Sequence, residues 1–441
     1  MLAKANRQLF RPAGLVCPFT TDSNLRRPLS SKCLTLLVLL AAMLLPLTAH
    51  SQDQEEIKGT PAEPADAQQI RDQIAEVQKL QHAIPDRGAT LYFLAVAKGR
   101  LGDILGALAL LKECLALQEG FDPSGDPVFL ELKDSKEFST LIETVHSDFP
   151  VTLRAREAFR TTEKDLIPDG LAYDRQRNIF YLGSINRRKI IEIGRDGNIS
   201  DFVPEGRFAL LPVRGISVDS SDDSVWANSF SDDGQTELVH FDGTGKLLGR
   251  FKPAGATKHG FNNLVIRKSG EVITTDSLAN AISRFDPASH TFKALPVHRP
   301  LFYPNGIALG GDDHTLYVAD SLGVVRVDLA NGESRDVDPG PRSTLAGIHG
   351  LYWYNSSLIG IQIGIGSPRV AAFRLSSEGL RVIRTTVLEN RSHFCLSPTT
   401  GAIVASDFFF IANSHMDDMN DGEVMDVTQL EPVRVGVLRL P

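Results

Sequence analysis

Six residues able to do chemistry occupy one place in six similar stretches: Asp169, Arg214, Asn262, Asn305, His349 and His393, at intervals of 45, 48, 43, 44 and 44 residues. The stretches read PDGLAYD (168–174), VRGISVD (213–219), FNNLVIR (261–267), YPNGIAL (303–309), IHGLYWY (348–354) and SHFCLSP (392–398). A carboxylate with two amide carbonyls makes an oxygen-rich set suited to a hard cation such as Ca²⁺, which takes about 6–8 oxygens. Asp169, Asn262 and Asn305 are therefore the candidate metal ligands. His349 and His393 are candidate catalytic bases, since an imidazole titrates near about pH 6.5 when unperturbed. Arg214 is the candidate substrate-binding residue, its guanidinium suited to orienting an anionic substrate. Asn and Asp also begin strands for reasons of turn geometry alone, and their recurrence in one register is what raises them above that.

The elements that position these residues are strands. Each stretch is a short apolar run followed by a turn and a second run: 178–184, 224–229, 271–277, 315–321, 357–363 and 402–408. Third strands are expected at 189–194, 237–242, 281–286, 323–328 and 369–375, with shorter outer strands after them. A repeat of this length predicts a mainly β fold, a six-bladed β-propeller over residues 165–441. Its first strands line a central channel, so the six residues form a ring at one mouth. Ser184, Asn228, Asp276, Asp320 and Asp407 form a wider circle there. The closing segment 431–441 is expected to add an outer strand to a blade.

The rest of the chain is organised differently. Residues 1–51 carry six basic residues and one acid ahead of and around the apolar run 34–47, which reads as a signal peptide and an exported protein, periplasmic or secreted. The alternative is an uncleaved leader acting as a membrane anchor. Without residues 1–51 the net charge of −8 becomes −13, which argues against a nucleic-acid partner. Residues 52–66 read as a flexible linker. Residues 67–151 carry helical periodicity, with Gly102 and Asp103 turning between two helices, and this part resembles one tetratricopeptide unit. That unit offers a docking surface for a protein or peptide partner, or else a cap that packs on the propeller. Residues 152–166 read as a polar bridge into the first blade. Cys114 and Cys395 are expected as buried thiols.

The stretches YPNGIALGGDDHTLYVADS (303–321) and FNNLVIRKSGEVITTDS (261–277) resemble the senescence marker protein, gluconolactonase and luciferin-regenerating enzyme family of propellers, to which regucalcin belongs. The likeness spans about 165–441. It implies a channel cation, usually calcium, held by a Glu of the first blade, an Asn of the fourth and an Asp of the fifth, with an Asn of the third touching substrate or metal. Asn305 and Asn262 match the two asparagines. Asp169 stands where the family has Glu, and His349 where it has the Asp that is its candidate base. The resemblance therefore implies a divalent-metal-dependent hydrolase of a small lactone or ester. The departure at His349 leaves a second reading, a propeller that binds without catalysis. A zinc site at His259, His349 and His393 is a third arrangement.

Overall fold

The computed structural model describes residues 66–255, 257–420 and 423–441. The leader, the apolar run 34–47, the linker up to residue 65, Cys17 and Cys33 lie outside the described residues. No described helix is long and apolar enough to cross a membrane.

The described residues hold six four-stranded antiparallel sheets, each wound outward from an inner strand. The inner strands are Pro168–Asp174, Val213–Val218, Phe261–Ile266, Ile307–Leu309, Ile348–Tyr354 and Gly401–Val404. Each packs against the inner strand of the next blade, and the sixth packs against the first, so the sheets close into a six-bladed propeller. Aliphatic and aromatic side chains fill the spaces between neighbouring blades. Ile307, Leu316 and Val318 of the fourth blade, for example, share a cluster with Ile273 and Ile282 of the third. Beneath the mouth the inner strands enclose a channel of about 250 Å³.

Close approach at the axis decides which residues follow the ring positions. A Cβ placed on Gly170 would lie 2.1 Å from the carbonyl oxygen of Arg214, and one on Gly215 would lie 2.4 Å from that of Asn262. One on Gly350 would lie 2.9 Å from the Thr399 carbonyl. Only a residue without a side chain fits such contacts without movement.

The sixth blade differs from the sequence expectation. Its inner strand is Gly401–Val404 and its second is Asp407–Ile411, so 392–398 is a rim loop and 402–408 spans a strand and a turn. The C-terminal strand Arg434–Arg439 is the third strand of this blade, inside the outermost one. The outermost is Arg156–Arg160, from the stretch expected as a polar bridge, paired antiparallel with Arg434–Arg439. The ring is thus fastened by chain from both ends of the propeller. Phe159 of this strand packs against Phe180 of blade 1, ring centres 5.3 Å apart.

Four helices precede the propeller: α1 (Ala67–Leu80), α2 (Arg87–Arg100), α3 (Ile104–Ala116) and α4 (Lys136–Asp148). Asp103 caps α3 by accepting from Gly106 N at 2.9 Å, and Gly102 takes a φ of 80°, so the α2–α3 turn forms as its residues require. Asp86 caps α2 and also accepts from Thr344 Oγ1 and Leu345 N, each at 2.8 Å, which pins the helix start to the rim of blade 5. Phe93 meets Phe302 with ring centres 5.8 Å apart, and Ala346 and Ile365 join the helical core. Cys114 and Cys395 are free thiols, both buried.

Gly215→Ala is expected to cost about 1–3 kcal/mol, because the new methyl meets backbone atoms that no rotamer change can clear. Thermal unfolding checks this, and an unchanged midpoint would contradict the close contact between blades 2 and 3.

Candidate functional site

Five of the six expected ring residues meet at the mouth. Asp169, Arg214, Asn262, Asn305 and His349 line one cavity, and none is more than 4% exposed. The sixth position belongs to Thr399, whose carbonyl abuts Gly350 as the His349 carbonyl abuts Gly306. Thr400 closes the circle by donating its hydroxyl to the carbonyl of Asp169. His393 is exposed on the rim loop and does not line the cavity, because the sixth inner strand begins later than its spacing implied.

Charge at the mouth is balanced within the ring. Arg214 Nη1 lies 3.8 Å from Asp169 Oδ2, and its guanidinium stacks over Phe230 at 4.4 Å from the ring centre. His349 Nε2 lies 3.6 Å from Asp169 Oδ1. Burial pushes the His349 imidazole below its ordinary range, Asp169 and the backbone of Thr399 work against that, and Arg214 adds to it. The result is a neutral imidazole near pH 7. Asn305 Oδ1 accepts from Asn263 Nδ2 at 2.6 Å, and Asn262 Nδ2 donates to Ser277 Oγ at 3.1 Å.

Several polar atoms at the mouth are buried without a hydrogen-bond partner: Asp169 Oδ1, Asn262 Oδ1, His349 Nδ1 and Arg214 Nε. Leaving such atoms unmatched costs about 1–3 kcal/mol each, so their gathering in one cavity marks a place built for a ligand or ordered water. The cavity measures about 40 Å³, room for about three waters.

The residues present do not fit a resident divalent cation well. Of the three expected donors, Asp169 and Asn262 offer free oxygens, while the Asn305 oxygen is occupied by Asn263. Arg214 already holds the positive charge beside the one ring carboxylate. The zinc arrangement is not assembled: His259 Nδ1 is bound to Asp276 Oδ2 at 2.5 Å, and His393 faces solvent. Among the described residues no group of three or more His, Cys, Asp or Glu is placed to hold a metal.

The wider circle is structural in its contacts. Asp276 accepts from Gly260 N and Ala279 N, and Asp320 binds Arg299 and the amides of Phe302 and Leu322. Asn228 donates to the Asn262 carbonyl at 2.9 Å, and Ser184 donates to the Leu166 carbonyl. Asp407 begins the second strand of blade 6, at the far end from the mouth, and pairs with Arg439. Asp276, Asp320 and Ser184 hold the rim loops in shape, and Asp407 does not join them.

Tyr303, Thr399 and Asp417 are among the lining residues that escaped the sequence reading. Tyr303 adopts a φ of 52°, and burial pushes its hydroxyl up to about 12. Thr399 had a signal: Pro398 precedes it as Pro168 precedes Asp169 and Pro304 precedes Asn305. Asp417 had none, because it lies in an excursion outside the repeat.

No protein-family model and no curated protein matches the chain. Among solved structures it is similar to a gluconolactonase from Xanthomonas campestris, with a TM-score of 0.45 and 15% identity over 65% of this chain and 90% of that one. It is similar to a virginiamycin B lyase from Staphylococcus aureus, with a TM-score of 0.47 and 16% identity over 65% and 99%. A luciferin-regenerating enzyme matches with a TM-score of 0.45 and 11% identity over 63% and 93%. Likeness at this distance carries no argument about chemistry, which rests on this chain's own side chains.

His349 is expected to titrate below its ordinary value of 6.5, lower still in Asp169→Asn and higher in Arg214→Met. Its folded-state pKa lies below the unfolded one, so the unfolded chain binds the extra proton and stability falls as pH drops below 6.5. Imidazole proton NMR checks the order of the three proteins, and titration of His349 above 6.5 would contradict its burial at the mouth.

Proposed function

We propose that the mouth hydrolyses a small lactone or ester. The observation that carries this reading is a buried imidazole beside a carboxylate and a guanidinium, in a cavity where several polar atoms lack partners. His349 takes a proton from water as the water attacks the carbonyl carbon, and Asp169 stabilises the imidazolium that forms. Arg214 supplies the positive charge for the oxygen that becomes anionic, in a site too buried for water to screen it. The basic leader and its apolar run support an exported setting for this activity.

A second reading, a divalent cation at the mouth, is favoured by the free Asp169 Oδ1 and Asn262 Oδ1. It requires Arg214 to leave Asp169.

A panel of aliphatic lactones and aryl esters separates these. Under the first reading, protein treated with a chelator keeps its turnover, His349→Gln lowers kcat/KM by about 10²–10⁴-fold, and Arg214→Met lowers it by about 10²–10³-fold. Turnover lost to the chelator and restored by calcium selects the cation. A wild-type protein that turns over none of the panel overturns the hydrolase and leaves the binding module.

A further inference from the structure

Between the second and third strands of blade 6 the chain leaves the repeat, and its described residues 412–420 and 423–433 cross the rim as a strap. Ser414 fastens it to the rim loop: its N donates to the Ser397 carbonyl at 2.8 Å, and its hydroxyl meets that of Ser397 at 2.9 Å. Met416, Met419 and Val424 pack on Ile167 and Ile185 of blade 1 and on Leu430. His415 Nε2 meets the Glu431 carbonyl at 3.0 Å, and Arg434 N donates to Asn413 Oδ1 at 2.6 Å, which ties the strap's two ends together. Held on three sides, the strap brings Asp417 into the wall of the cavity with Asp169, Arg214, Tyr303 and His349.

Asp417 Oδ1 is buried there with no hydrogen-bond partner. The charged and titratable groups that share its cavity are those four ring and rim residues, and Asp418 acts on it from the strap itself. Burial pushes the Asp417 carboxyl up to about 7, Asp418 adds to the rise, and Ser397 works against it. The mouth therefore joins a histidine shifted toward its neutral form to a carboxyl that is about half protonated near pH 7.

Resting on the hydrolase reading, we propose that Asp417 is the general acid of the site, giving its proton to the alkoxide that leaves as the ester bond breaks. One proton of the attacking water goes to His349, and the water oxygen bonds to the carbonyl carbon. The carbon–oxygen bond of the ring breaks with its electron pair on the ring oxygen, which takes the proton from Asp417. Histidinium then loses its proton to solvent and the Asp417 carboxylate regains one from it, so one lactone and one water give one hydroxy acid. Such a donor matters for an alkoxide, a poor leaving group, and little for a nitrophenolate, which departs without help.

The test compares a δ-lactone with a 4-nitrophenyl ester, using wild type, Asp417→Asn and Ser397→Ala. For wild type, kcat/KM on the lactone is expected to rise with pH as His349 loses its proton and to fall again near pH 7 as Asp417 does. Asp417→Asn is expected to lose about 10²-fold on the lactone, less than about threefold on the nitrophenyl ester, and the descending limb. Ser397→Ala, which removes a hydroxyl that favours the carboxylate, is expected to move that limb to higher pH. This second variant decides the matter should Asp417→Asn fail to fold. Turnover by wild type with the limb unmoved in Ser397→Ala, or with equal losses on both substrates in Asp417→Asn, overturns the acid role alone. A wild type inert toward both substrates overturns the hydrolase reading, and the acid role with it.

Discussion

Everything at the mouth depends on how closely the six inner strands approach the axis. The carbonyl oxygen of one ring residue lies against the Cα of the residue that follows the ring position in the preceding blade. Glycine fills that second place at 170, 215, 306 and 350. Where another residue stands, a hydrogen bond ties the blades instead: Asn263 donates to Asn305 Oδ1 of the next blade at 2.6 Å, and Thr400 donates to the carbonyl of Asp169. Interlocked backbones leave the ring side chains one direction to go, into the mouth. Side chains held that way reach their positions with little entropy left to lose on binding a ligand.

Closure by two distant segments adds to this rigidity. The strand Arg156–Arg160 completes the blade whose other three strands come from the last part of the chain, so the ring cannot open at one seam without breaking a ladder. The same strand begins where the helices end, and α2 is pinned by Asp86 and Phe93 to the rim of blades 4 and 5. Helices and ring thus share one folding unit. Their contacts are the polar ones of Asp86, Asp122 and Arg369 as much as apolar ones, each buried and matched to a backbone group of the other part.

Electrostatics at the mouth follows from burial. An isolated buried carboxylate would be costly, and Arg214 lowers that cost for Asp169. The same desolvation drives His349 and Asp417 in opposite directions on the pH scale, one toward losing its proton and the other toward keeping it. Burial in one cavity thus shifts a histidine and a carboxylic acid toward their neutral forms, the pattern that suits a pair of base and acid.

Periodicity made the propeller legible in the sequence, because each blade must bury both faces on its neighbours and so repeats the same apolar pattern. It also made five ring residues legible, since position within a strand decides which side chain faces the mouth. Blade 6 escaped it because its strands come from two ends of the chain with a long excursion between them, so an even spacing pointed to His393 where the backbone contacts place Thr399. Asp417 and Tyr303 carry no periodic mark: what brings them to the cavity is the path of loops across the rim. Residue types and intervals were enough to say which chemistry could gather at an axis. Which oxygens stay free, which are occupied by a neighbouring amide, and which carboxylate a guanidinium sits beside were decided by tertiary packing, because those depend on distances between blades that no single stretch of chain encodes.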